Sequence, residues 1–138
     1  MKLDYTVIDP TKNITLLVTN PVPRDVQPRL AARLLALEED AEQVGFVEQY
    51  ASALPRLQMM GGEFCGNATM SMAAWLMRKE PVGAERDLLL EVSGAPSPVP
   101  CRITRLDGCF IGTVSMPLPE RIEQLPLPVN GITVTLPV

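Results

Sequence analysis

One stretch of the chain combines residue types that can move a proton: Met60-Gly61-Gly62-Glu63-Phe64-Cys65-Gly66-Asn67-Ala68-Thr69. Glycines on both sides of Cys65 leave the backbone open to close approach by a ligand. The residues from Ala68 to Arg78 are good helix formers, so Cys65 stands at a helix start. There the first N–H groups lack carbonyl partners, and the positive end of the helix dipole favours an anion. Such a turn can hold a carboxylate on its N–H groups, with Asn67 adding a side-chain donor. It can also present the Cys65 sulfur, biased toward thiolate, to the carbon beside that carboxylate. This is what is needed to move the α-proton of an amino acid. The same pattern is equally that of a buried structural cysteine with glycines for tight packing.

The rest of the composition narrows the chemistry. Among 138 residues there is no histidine, which removes Ser–His and Cys–His nucleophile pairs, His-ligated metal and histidine bases. Acid–base work must then fall to Cys, Asp, Glu, Lys or Tyr. Twelve Lys and Arg against 16 Asp and Glu give a net charge of −4, which argues against a nucleic-acid partner. No apolar run approaches the roughly 18 residues of a membrane span, and the N-terminus lacks a signal-peptide pattern. No membrane partner and a cytoplasmic location are therefore expected. Cys65, Cys101 and Cys109 are odd in number and lack a C-x-x-C spacing, so neither a disulfide framework nor a metal site is expected. Met59, Met60, Met70, Met72 and Met77 read as core filler.

The elements that must position Cys65 can be read from periodicity. Tyr5–Asp9 and Ile14–Thr19 are β-branched runs separated by Pro10-Thr11-Lys12-Asn13, a strand–turn–strand. Asp25 is placed to cap a helix running to about Glu39, with Leu30, Leu34 and Leu37 on its buried face. Val44–Val47 and Leu57–Met60 read as strands. The helix after Cys65 is apolar almost all round, which is the pattern of a helix buried inside a fold. Leu88–Val92, Val99–Thr104 and Phe110–Met116 follow as strands, with an Asp107-Gly108 turn between the last two. A Pro-rich spacer and Asn130-Gly131 lead to a final strand, Ile132–Leu136, expected to dock on the sheet unless it opens a further domain. The expected fold class is α+β: a curved, mainly antiparallel sheet around one central apolar helix.

Glu63-Phe64-Cys65-Gly66-Asn67-Ala68 resembles the first catalytic-cysteine motif of the diaminopimelate epimerase-like family of cofactor-independent amino-acid racemases and epimerases. The closer resemblance is to the branch carrying Gly-Gly-Glu-Phe-Cys-Gly-Asn-Ala. Asn13 resembles the Asn of an early Gly-Asn motif, with Lys12 in place of the glycine, and Gln43-Val44-Gly45-Phe46 resembles a Gln-containing strand that lines the pocket. Val92-Ser93-Gly94 and Met116-Pro117 fall where such proteins finish their first domain.

The resemblance implies an isomerase that takes a small amino-acid substrate and needs no pyridoxal phosphate or other cofactor. Two cysteines, one per domain, flank the α-carbon in such enzymes. Cys65 matches the first, Gly66 and Asn67 match the carboxylate cradle, and Glu63, Asn13 and Gln43 match substrate-facing positions. Relatives run to roughly twice this length, so residues 1–138 correspond to the N-terminal half, with 126–138 as the start of a second domain. Cys101 lies in a strand and Cys109 at a hairpin; neither precedes a helix, so the second base must come from elsewhere. A missing C-terminal domain, or a homodimer that sets two Cys65 thiols face to face, would supply it. Whether this chain acts as an enzyme by itself stays open. Two other readings remain: an isomerase like those of phenazine biosynthesis, with Glu63 as a carboxylate base, and a non-catalytic domain that binds a small carboxylate.

Overall fold

The computed structural model describes residues 2–119 and 121–137. Strands β1 (Tyr5–Ile8) and β2 (Thr15–Val18) form an antiparallel hairpin whose turn holds Thr11 and Lys12 at positive φ. Helix α1 (Gln27–Leu37) then crosses to β3 (Gln43–Glu48), which lies parallel to β2. β4 (Arg56–Met59) returns antiparallel, and helix α2 (Gly66–Met77) crosses to β5 (Glu85–Val92), parallel to β4. β6 (Val99–Arg105) and β7 (Phe110–Val114) complete a seven-stranded, mostly antiparallel sheet whose strand order is the chain order.

The two helices lie on opposite faces of this sheet, and chirality accounts for it. Both crossovers step one strand in the same direction, but β4 runs opposite to β2, so right-handed connections place α1 and α2 on different sides. Leu16 and Val18 accordingly pack with Ala31 and Leu34 of α1, while Leu17 joins the cluster built on Met72, Ala73 and Trp75 of α2. This double coverage explains why β2 is buried at every position. The sheet wraps α2, which touches β2 through β7. An apolar face all round is what such a place demands, and even Thr69 and Ser71 of this helix are buried. Gly112 lets β7 close on the helix: a Cβ there would lie 2.4 Å from the Arg102 carbonyl oxygen and 2.6 Å from Met70 Cε.

Several expectations need correction. Asp25 does not cap α1: the N-cap is Val26, without a side-chain bond, and Pro28 occupies the first turn. The helix stops at Leu37, which is 77% exposed. Burial follows Gln27, Ala31 and Leu34 instead, and Leu37 falls about 80° to one side of that stripe at 100° per residue. Finally, the Pro-rich spacer is itself a strand. β8 (Gln124–Val129) pairs antiparallel with β9 (Ile132–Pro137) across the Asn130-Gly131 turn. In such a ribbon every second N–H points outward, where Pro126 and Pro128 lose nothing. β8 and β9 pair with each other and not with the larger sheet, so the last strand does not dock there; Val138 lies outside the described residues.

Candidate active site at the start of the central helix

Cys65 is the N-cap of α2, with extended backbone (φ −136°, ψ 113°). Its Sγ accepts the Ala68 N–H at 3.4 Å, and its carbonyl accepts both the N–H and the hydroxyl of Thr69 at 3.0 and 2.7 Å. The cap thus engages the third and fourth N–H groups of the helix start. The N–H groups of Gly66 and Asn67 come too early to reach a helical carbonyl, which suits them to an anion. Gly66 is overlain by Met116, whose Sδ would lie 3.0 Å from a Cβ at that position.

The sulfur also donates to Gln43 Oε1 at 2.9 Å. Gln43 Nε2 in turn donates to Asn13 Oδ1 and, at 2.7 Å, to Thr15 Oγ1; Asn13 Nδ2 donates to Glu42 Oε2 at 2.7 Å. This arrangement follows from register, since β2 pairs with β3 so that Thr15 sits beside Gln43. The Cys65 sulfur thus lies between the Gln43 amide oxygen on one side and the Ala68 N–H on the other.

The loop before Cys65 is clamped from the turn that follows β5. Ser93 Oγ donates to the Glu63 carbonyl at 2.8 Å while accepting the buried Met59 N–H at 2.9 Å. Gly94, at φ +73°, passes so close that a Cβ would fall 2.2 Å from the Phe64 nitrogen.

Of the residues singled out from sequence, Cys65, Gln43 and Asn13 meet in one hydrogen-bonded chain, and Gly66 and Asn67 form the adjoining first turn. Glu63 is not brought in: it is exposed, with its carboxylate folded back over Gly61. Cys101 is buried in β6, where loss of hydration raises its thiol from 9.0 to about 11. Cys109 is exposed on the β6–β7 hairpin. Thr15, Glu42 and Ser93 enter the site's scaffold without having been proposed for it. Only Ser93 carried a signal, through its place in Val92-Ser93-Gly94.

Beside the same turn lies an open cavity of about 650 Å³, floored by Asn67, Met70 and Ser71 of α2 and walled by Ile8 of β1 and Phe110 of β7. Among the described residues no cluster of His, Cys, Asp or Glu is arranged to hold a metal ion. No helix among them is long and apolar enough to cross a membrane.

A family model described as the histidine racemase CntK N-terminal domain matches residues 2–138. Histidine racemases from two strains of Fusobacterium nucleatum subsp. nucleatum are each 33% identical to the chain over 129 residues, covering 89% of it and 47% and 46% of their own lengths. A histidine racemase of Staphylococcus aureus is 31% identical over 124 residues, covering 87% of the chain and 44% of its own length. The chain therefore spans about half the length of the curated relatives it matches.

Proposed function

The chain belongs to the histidine racemase CntK N-terminal domain family, and from that premise we propose that it supplies one half of the active site of a cofactor-independent amino-acid racemase, with histidine as substrate. The substrate follows the names of the relatives, all histidine racemases. In this reading the fold is diaminopimelate epimerase-like, and the β8–β9 ribbon belongs to the junction with a second, base-bearing unit. That unit is a C-terminal domain or a second copy of the chain.

The chemistry has one main obstacle: an α-proton is a weak acid, and its removal puts charge onto the neighbouring carboxylate. The N–H groups of Gly66 and Asn67 are fixed donors for that growing charge, and they need no reorganisation as it forms. Cys65 then works one face of the α-carbon and a base from the second unit works the other. As one base takes the proton, Cys65 delivers its own to the opposite face; a new C–H bond forms as the S–H bond breaks, and configuration inverts. The observation that carries this reading is the place of Cys65. It caps a buried helix beside the two N–H groups that precede the helix's own hydrogen bonds, with its sulfur held by Gln43.

The test is exchange of the α-hydrogen of histidine in deuterated water, followed by proton NMR. Exchange accompanied by inversion of configuration, with the enantiomers separated on a chiral column, should vanish in Cys65→Ala and Cys65→Ser. Inverting exchange that survives both substitutions would overturn the thiol mechanism.

A further inference from the structure

Glu42 lies outside the proposed site and is exposed, yet three side-chain hydrogen bonds connect it to Cys65 through Asn13 and Gln43. The direction of that chain is decided at its outer end. A carboxylate only accepts, so Asn13 must turn its amide nitrogen to Glu42 and its oxygen inward. That oxygen also only accepts, so Gln43 must face it with Nε2. The second proton of Nε2 goes to Thr15 Oγ1 at 2.7 Å, a hydroxyl whose own proton is engaged by the Asn13 carbonyl at 3.1 Å. Both protons of the Gln43 amide are thereby used. Only Oε1 remains to face Cys65, and an amide oxygen accepts, so the sulfur must donate.

We propose that Glu42 is a positioning residue: by fixing the polarity of the Asn13–Gln43 chain, it keeps the proton on Cys65 at rest. The chain's half of the site is then the proton-giving half, and the resting thiolate belongs to the partner base. The consequence for catalysis rests on the racemase reading above; the polarity itself does not. When Cys65 has given its proton, a thiolate faces the oxygen end of the Gln43 amide. Turning that amide over would set Oε1 against Asn13 Oδ1, which Glu42 forbids. The relay therefore favours return of a proton to sulfur after each turnover. On the segments that meet at Cys65 the nearest titratable groups along the chain are Glu42 just before β3, Glu63 in the loop before α2, and Asp9 and Lys12 in the β1–β2 turn. Glu63 folds over Gly61, and Asp9 accepts the Lys12 N–H at 2.5 Å, so neither carboxylate joins the chain.

The test is alkylation of the three cysteines by iodoacetamide without substrate, followed residue by residue by peptide mass across neutral to alkaline pH. Glu42→Gln lets the outer end donate, and Asn13→Ala cuts the chain while keeping the Glu42 charge. Each should move the midpoint of the Cys65 profile down by about one pH unit, a gain of about tenfold in labelling below the midpoint. The double variant should move it no further. Exposed Cys109 should label at an unchanged rate, and buried Cys101 should stay unlabelled, which reports an intact fold. Profiles that superimpose on the unsubstituted protein would overturn the relay. So would a shift in Glu42→Gln without one in Asn13→Ala, since that is the signature of a charge acting through space. Because no substrate is present, a shifted profile together with inversion of histidine that survives loss of Cys65 would fault the racemase reading and leave the relay standing.

Discussion

Gly94 and Gly66 flank Cys65 from two sides, and a methyl group would cost very different amounts at each. At Gly94 the added Cβ meets backbone, 2.2 Å from the Phe64 nitrogen and 2.6 Å from the Glu63 carbonyl carbon, at a φ that L residues rarely adopt. At Gly66 it meets the flexible end of Met116. Gly94→Ala should therefore lose about 3 kcal/mol or more in urea unfolding and displace the Cys65 loop, whereas Gly66→Ala should lose about 1 kcal/mol or less. Cys101 gives a pH prediction. Burial holds its proton to about pH 11, while the unfolded chain releases it near the ordinary 9.0. Between those values the unfolded state binds fewer protons, so stability is fully present below the lower value and falls as pH rises toward the upper one. Urea midpoints taken across this window should decline, and Cys101→Ala should remove that part of the decline. The glycine-flanked cysteine was legible because its neighbours in space are its neighbours in sequence. Glu42 and Thr15 were not, because they reach Cys65 only through the register of β2 on β3, which no local pattern encodes.

At the level of elements, α2 was the most legible part of the chain and is the most sensitive to truncation. A helix without a polar face has to be enclosed, and Met72, fully buried at its centre, has nothing exposed to spare. Met72→Ala should cost about 2–5 kcal/mol, read from the shift in urea midpoint. Helix α1 was legible in existence but not in its ends, since a weak cap and a leucine at the edge of the stripe carry little information. β8 was missed because two prolines in six residues argue against a strand unless one edge of each residue is free, as it is in a two-stranded ribbon. That ribbon gathers Leu125, Leu127, Val129, Ile132, Val134 and Leu136 on one face, all exposed. With no third strand and no covered face, its amides should exchange with deuterium about 100-fold or more faster than those at the centre of α2, as hydrogen-exchange mass spectrometry would show.

Seen whole, the molecule is a sheet clad on both sides, by α1 over β2 and β3 and by α2 along nearly its full width. The α+β expectation of a curved, mainly antiparallel sheet around a central helix agrees with this in outline. It did not foresee the two parallel joints, because a crossover is visible only when one knows which strands it connects. The order of strands in the sheet, identical to their order along the chain, has a consequence for how the molecule assembles. No strand must wait for a distant segment to be made, and the costliest closures are the two that a helix already spans. During synthesis, a ribosome that has delivered β4 has also delivered every sheet partner that β1, β2 and β3 will use. The sheet can thus be laid down as a row filled from one end, with α2 arriving in time to give its later strands something to close around.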